Sequence, residues 1–135
     1  MKKTMAYSLF KQRLVILVHT RSSPSAGEWT AYCDDTQRWR RSVESYLVVS
    51  DGGGPNASQR AELREAVEAE TTSARTAVVT VSPIARGIVT AIGWFNPGIR
   101  AFSTVRLHDA LDYLRVTDSE RGGVLAELAR LRERL

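Results

Sequence analysis

Leu14-Val15-Ile16-Leu17-Val18 is an unbroken apolar run rich in β-branched residues. A strand with one wet face alternates apolar and polar side chains, whereas a strand covered on both faces does not. Tyr46-Leu47-Val48-Val49 and Ala77-Val78-Val79-Thr80-Val81 read the same way, and Ile99-Arg100-Ala101-Phe102 is a shorter, weaker fourth run. Strands buried on both faces point to a parallel sheet.

The stretches between these runs are long enough for crossover helices. Residues 25–41 carry Trp29, Tyr32, Cys33, Thr36 and Trp39 at spacings of three and four. Residues 57–70 carry Leu63, Ala66 and Val67 among alternating charges. Residues 84–95 are almost wholly apolar, which predicts a buried helix, and residues 108–114 carry Leu111 and Leu114. Upstream, Ala6–Phe10 is separated from the first long run only by Lys11-Gln12-Arg13. That link is too short for a parallel crossover and suits a hairpin. The expected fold class is therefore α/β: a five-stranded, mostly parallel sheet with one antiparallel edge strand, helices on the sheet and an extra C-terminal helix.

The chain divides into an α/β domain over residues 1–116 and an amphipathic helix over 117–135. In that helix Val124, Leu128, Leu131 and Leu135 recur at i, i+4, i+7 and i+11, one apolar stripe. Gly122-Gly123 reads as its entry, with freedom to swing away from the domain. The stripe can lie on its own domain or on another chain, and the expectation is a homo-oligomer or partner complex held through it.

With 135 residues, 43% of them hydrophobic and 25% charged, the chain has the material for one core. Its longest apolar run is far too short to span a bilayer, so no membrane insertion is expected, and the chain reads as cytoplasmic. The net charge of +4 comes from 16 Arg and 3 Lys scattered among acids. Arg38-Trp39-Arg40-Arg41 is the one tight basic cluster; it suits a helix end, and without a basic stripe it speaks against nucleic acid. Cys33 is alone, and His19 and His108 sit in no metal-binding spacing. No disulfide, metal or cofactor is therefore expected.

Three stretches could carry function. In Asp51-Gly52-Gly53-Gly54-Pro55-Asn56-Ala57-Ser58-Gln59-Arg60 a strand ends, a loop follows and a helix begins. Asn56 and Gln59 have capping-box spacing, and Ser58 lies in the first turn, where amides and dipole favour an anion such as a phosphoserine. An ordinary turn and cap explains the same residues. In Ser82-Pro83-Ile84-Ala85-Arg86, Arg86 should project near Asp51, as a salt bridge or as part of a recognition patch. Trp94-Phe95, before the turn Asn96-Pro97-Gly98, is either aromatic core or, if exposed, an apolar ligand or docking site.

The element order, together with Leu47-Val48-Val49-Ser50-Asp51, Asn56-Ala57-Ser58, Thr76–Ser82 and Ala110-Leu111-Asp112-Tyr113-Leu114, resembles the STAS fold of anti-sigma-factor antagonists. It is more similar still to the divergent STAS/SEC14-type small proteins of bacteria, over roughly residues 6–116. That family phosphorylates a serine in an Asp-Ser-Ser-Gly segment. The matching Asn56-Ala57-Ser58-Gln59 keeps one hydroxyl, so the resemblance makes Ser58 the candidate phosphorylation site, on a surface able to dock a protein without the modification. The expected function is a non-enzymatic regulatory or adaptor domain. Its partner, another protein, would dock on Asp51, Gly52, Gly53, Asn56, Ser58, Arg60 and Arg86. The alternative is a crevice at the carboxyl ends of the strands holding a lipid-like or anionic small ligand. An enzyme would need a nucleophile beside a base, and nothing in the spacing sets His19 beside Cys33 or a serine.

Overall fold

The computed structural model describes residues 2–67, 74–93, 96 and 98–135. Its strands are β1 (Met5–Phe10), β2 (Leu14–His19), β3 (Ser45–Ser50), β4 (Arg75–Thr80) and β5 (Ile99–Phe102). They form one sheet in chain order, with β1 antiparallel to β2 and every other pair parallel. The class read from the continuous apolar runs is the class observed. The hairpin turns through Lys11 (φ +49°) and Gln12 (φ +63°), the left-handed region that tight hairpin turns use, and Arg13 N–H donates to Phe10 C=O (3.1 Å).

Helices α1 (Ala26–Trp39), α2 (Ala57–Val67) and α3 (Pro83–Gly93) connect successive parallel strands, and α4 (Leu107–Tyr113) and α5 (Asp118–Glu133) follow the sheet. Ser25 starts α1 with a capping box to Glu28. The α1 positions read from the spacing, Trp29, Tyr32, Cys33 and Thr36, are its buried ones. They meet Val15, Leu17 and Tyr46 on one face of the sheet. Leu14, Ile16, Val18, Leu47, Val49, Ala77 and Val79 point to the other face, where α4 and α5 cover them. Every residue of β2 is buried, as its lack of alternation requires.

Two expectations about helices are corrected. The apolar segment from Ile84 predicts a buried helix, yet no residue of α3 is buried, and Ile84 is 78% exposed. Because α4 takes the opposite face of β4, and a right-handed crossover puts α3 with α1 and α2, α3 has the sheet on one side only. The tail does not hinge at Gly122-Gly123 either. These glycines lie inside α5, which begins at the Thr117–Glu120 capping box. A Cβ at Gly123 would stand 3.1 Å from the Phe10 ring, so this glycine lets helix and hairpin approach.

The α5 stripe covers its own chain. Val124, Leu128 and Leu131 are buried in the core, with Leu135 packed against it, so in this chain the stripe faces its own sheet. Arg13, at the base of the hairpin, hydrogen-bonds and ion-pairs with Glu120 in the first turn of α5. That bond, with those from Thr117, holds the Glu120 carboxyl down at about 2. Fully burying one leucine contributes about 1.5–3 kcal/mol. Leu131→Ala should lower unfolding stability by about 2–5 kcal/mol, the cost of a core cavity, with the sheet and α5 melting together. Denaturant unfolding followed by far-UV circular dichroism checks this; a loss under about 0.5 kcal/mol would mean the helix does not seal the core.

Candidate functional site

The carboxyl ends of β2, β3 and β4 lie level. His19 pairs with Ser50 and Ser50 with Thr80 in the parallel register. All three are buried polar side chains, a row along the end of the sheet on the face that carries α1. His19 stacks on Trp29, with ring centroids 6.2 Å apart, and among the described residues neither of its ring nitrogens has a hydrogen-bond partner. Burial disfavours the imidazolium and pulls its pKa down to about 4, although nearby Glu28 acts in the opposite direction. His19 is therefore neutral at pH 7.

Beyond this row the loops lock together. Asp51 N–H donates to His19 C=O (3.1 Å) and Gly53 N–H to Thr20 C=O (2.8 Å). A Cβ at Gly53 would lie 2.4 Å from the carbonyl oxygens of Thr20 and Ser22, so only glycine fits. Gly52 has φ +129°, which also selects glycine. Ser50 Oγ accepts from Gly52 N–H (3.0 Å) and donates to Gly53 C=O. Asn56 and Gln59 form the capping box the sequence suggests, through bonds of 2.8 and 3.0 Å. Gln59 is tied further: its Nε2 donates to Pro24 C=O (3.0 Å), and its own C=O accepts from Trp29 Nε1 (2.7 Å). Arg60 folds back to Pro55 C=O (2.9 Å). The outcome is a braced platform on which Asp51, Gly52, Asn56, Ala57 and Ser58 are exposed. Ser58 is the second residue of α2.

Arg86 does not meet Asp51, which corrects the expected pair. Arg86 Nη1 donates to Thr80 C=O (2.9 Å), the end of its own strand, while Asp51 ion-pairs with Arg132 of α5 (3.6 Å). Side-chain alternation is the reason. Ser50 points to the α1 face, so the next residue points toward α5. Trp94 and Phe95 lie outside the described residues.

One feature of the edge has no clear signal in the sequence. Among the described residues, the exposed large hydrophobics are Val81 (55%), Ile84 (78%), Ile88 (49%) and Val105 (92%). Val81 directly follows β4, Ile84 and Ile88 lie on α3, and Val105 lies in the short 3-10 turn after β5. Because β4 and β5 are paired neighbours, Val81, Ile84 and Val105 follow adjacent carboxyl ends, while Ile88 lies one turn further along α3. On the α5 face of the same edge, Val49, Val79, Leu107, Leu125 and Leu128 line a small cleft of about 260 Å³ that Arg132 also borders.

Burial pushes the Cys33 thiol up to about 12, with Glu62 and Asp34 adding to the rise, so it stays protonated and is a poor nucleophile at pH 7. Among the described residues no group of His, Cys, Asp and Glu could hold a metal ion, and no helix is long and apolar enough to cross a membrane. The chain matches no protein-family model, no curated protein and no solved structure.

The lowered His19 value makes an acid signature. The unfolded state binds this proton near pH 6.5 and the folded state only near 4, so stability is complete above 6.5 and falls as pH drops to 4. The loss is at most about 3 kcal/mol. Glu28, held at about 2 chiefly by bonds from Thr4 and Ser25 that outweigh its burial, contributes its own loss only below its ordinary value of 4.5. His19→Leu should therefore flatten the stability profile between pH 6.5 and 4.5 and leave the steeper acid limb. An unchanged slope in that window, from denaturant titrations at each pH, would contradict a neutral buried His19.

Proposed function

We propose that this chain is a non-enzymatic, STAS-like regulatory or adaptor domain that docks another protein on the carboxyl edge of its sheet. The observation that carries the reading is the exposure of Val81, Ile84 and Val105 just beyond the ends of β4 and β5, with Ile88 one turn further along α3, on the edge that also carries the braced polar platform 51–58. Apolar surface rimmed by polar groups is the usual anatomy of a docking site. A rigid loop also loses little conformational freedom on binding. Ser58, exposed in the first turn of α2, is the candidate phosphorylation site, where negative charge suits the helix dipole and would alter the surface without disturbing the fold. The buried, protonated thiol of the lone Cys33 fits work in the reducing cytoplasm.

The cleft beside Arg132 favours a second reading, a small apolar acid whose carboxylate shares that guanidinium with Asp51. Its small volume limits it to a compact ligand.

Photocrosslinking in the cell of origin separates the two. A photoreactive residue at Ile84 or Ser58 should capture a protein, while one at the exposed Ala126 of α5 should not. Ile84→Asp should lower the yield at Ser58 at least tenfold, and Ser58→Asp several-fold, with thermal unfolding unchanged. No crosslink from either position, together with a small molecule retained by the purified chain in native mass spectrometry, would sink the docking reading in favour of the cleft.

A further inference from the structure

We propose that the open edge of β1 takes up an extended, acidic-ended segment of another protein as a sixth strand. This surface is separate from the carboxyl edge, and it stands or falls independently of the reading above.

An antiparallel ladder turns alternate residues inward and outward. Thr20 N–H donates to Thr4 C=O (2.9 Å), which fixes the phase of the β1–β2 pair. The backbone groups of Ala6, Ser8 and Phe10 then bond to β2, and those of Met5, Tyr7 and Leu9 turn to the open side. A groove of about 660 Å³ runs along these residues. Ala31, Asp35 and Trp39 of α1 and Arg134 after α5 contribute to its lining. Tyr7 and Trp39 line it as half-buried rings 6.1 Å apart, and Tyr7 is held by a hydrogen bond from its hydroxyl to Asp35. Tyrosine and tryptophan are the residue types that most often anchor a partner.

The two edges of the sheet differ in their protection. Edge strands normally carry charge, proline or a bulge, or are very short, so that no other strand pairs with them. The edge strand β5 has four residues with Arg100 among them. The strand β1 has six residues, Met-Ala-Tyr-Ser-Leu-Phe, with no charge, proline or glycine, and a continuous register. This undefended edge, beside a groove with aromatic walls, suits strand addition, in which main-chain bonds supply affinity and side-chain contacts supply selectivity.

Charge selects the occupant. The acids lining the groove are already engaged: Glu28 by Thr4 and Ser25, and Asp35 by Tyr7 and Arg38. Lys3 and Arg134 line the groove and Lys11 follows the end of β1, and none of these three forms an ion pair among the described residues. A second copy fits poorly. Antiparallel pairing of two β1 strands about Tyr7 sets Met5 opposite Leu9 and therefore Lys3 opposite Lys11, and like charges facing across strands are destabilising. A partner strand with apolar residues alternating along its middle and acids at its ends meets both the rings and the cations.

The probe is a synthetic peptide of alternating valine and threonine with two glutamates at each end, added to the full chain and followed by amide hydrogen exchange. In the free chain the amides of Tyr7 and Leu9 should exchange at least tenfold faster than those of Ala6 and Ser8. The peptide should slow Tyr7 and Leu9 at least tenfold. Exchanging Lys3 and Arg134 for glutamate should weaken that protection at least tenfold without shifting thermal unfolding. The proposal is overturned if Tyr7 and Leu9 are already slow in the dilute chain, or if no soluble concentration of peptide protects them. It is overturned equally if a lysine-ended peptide protects as well, or if raising the protein concentration alone does so, which would make a second copy the occupant.

Discussion

The strands lie in chain order, and the rest of the structure depends on what that order does to the crossovers. A right-handed connection between successive parallel strands always returns over the same side of the sheet. The helices α1, α2 and α3 are therefore committed to one face. The opposite face is left with Leu14, Ile16, Val18, Leu47, Val49, Ala77 and Val79, and no crossover can reach it. The segment after β5 closes it. The chain does so with α4 and with α5, pinned by Arg13 to Glu120 and by the contact of Gly123 with Phe10. Exposed, that face would be an aggregation surface; covered, it is half of the core.

The same constraint distributes the surfaces. Once α5 is used to seal the core, its apolar stripe is covered by its own chain. What remains open is the carboxyl edge, where loops meet in front of buried His19, Ser50 and Thr80, and the long edge of β1. The first presents a braced backbone with apolar side chains beside it. The second presents unpaired peptide groups between flanking cations. These two surfaces lie on different parts of the sheet.

Much of the fold was legible because it depends on local pattern. Leu14–Val18 lacks alternation because both faces of β2 are covered, and Lys11–Arg13 is too short to do anything but turn. The Asn56–Gln59 box was legible from spacing, and the structure has it. The misreadings came where the outcome depends on neighbours. Apolar composition at Ile84 and Ile88 indicates affinity for cover but not whether cover exists; α3 lies over the last strands of the sheet, and both residues stay exposed. Gly123 resembles a hinge in sequence and is a packing contact in space. Arg86 and Asp51 follow neighbouring strands, but alternation sends Asp51 to the face of α5. Val105 stands alone between Thr104 and Arg106, and only the pairing of β4 with β5 shows what surrounds it. Trp94 and Phe95 fall outside the described residues.

By this packing α5 belongs to the same cooperative core as the sheet. Native-state hydrogen exchange on the full chain tests it most directly, by comparing the opening free energy at the amides of Leu128 and Leu131 with that at Ile16 and Leu47. A single core predicts that the four amides open together, with free energies within about 1 kcal/mol of one another at the level of global unfolding. If Leu128 and Leu131 opened several kcal/mol more cheaply while Ile16 and Leu47 stayed protected, α5 would be a detachable arm, and the stripe would again be available to a partner.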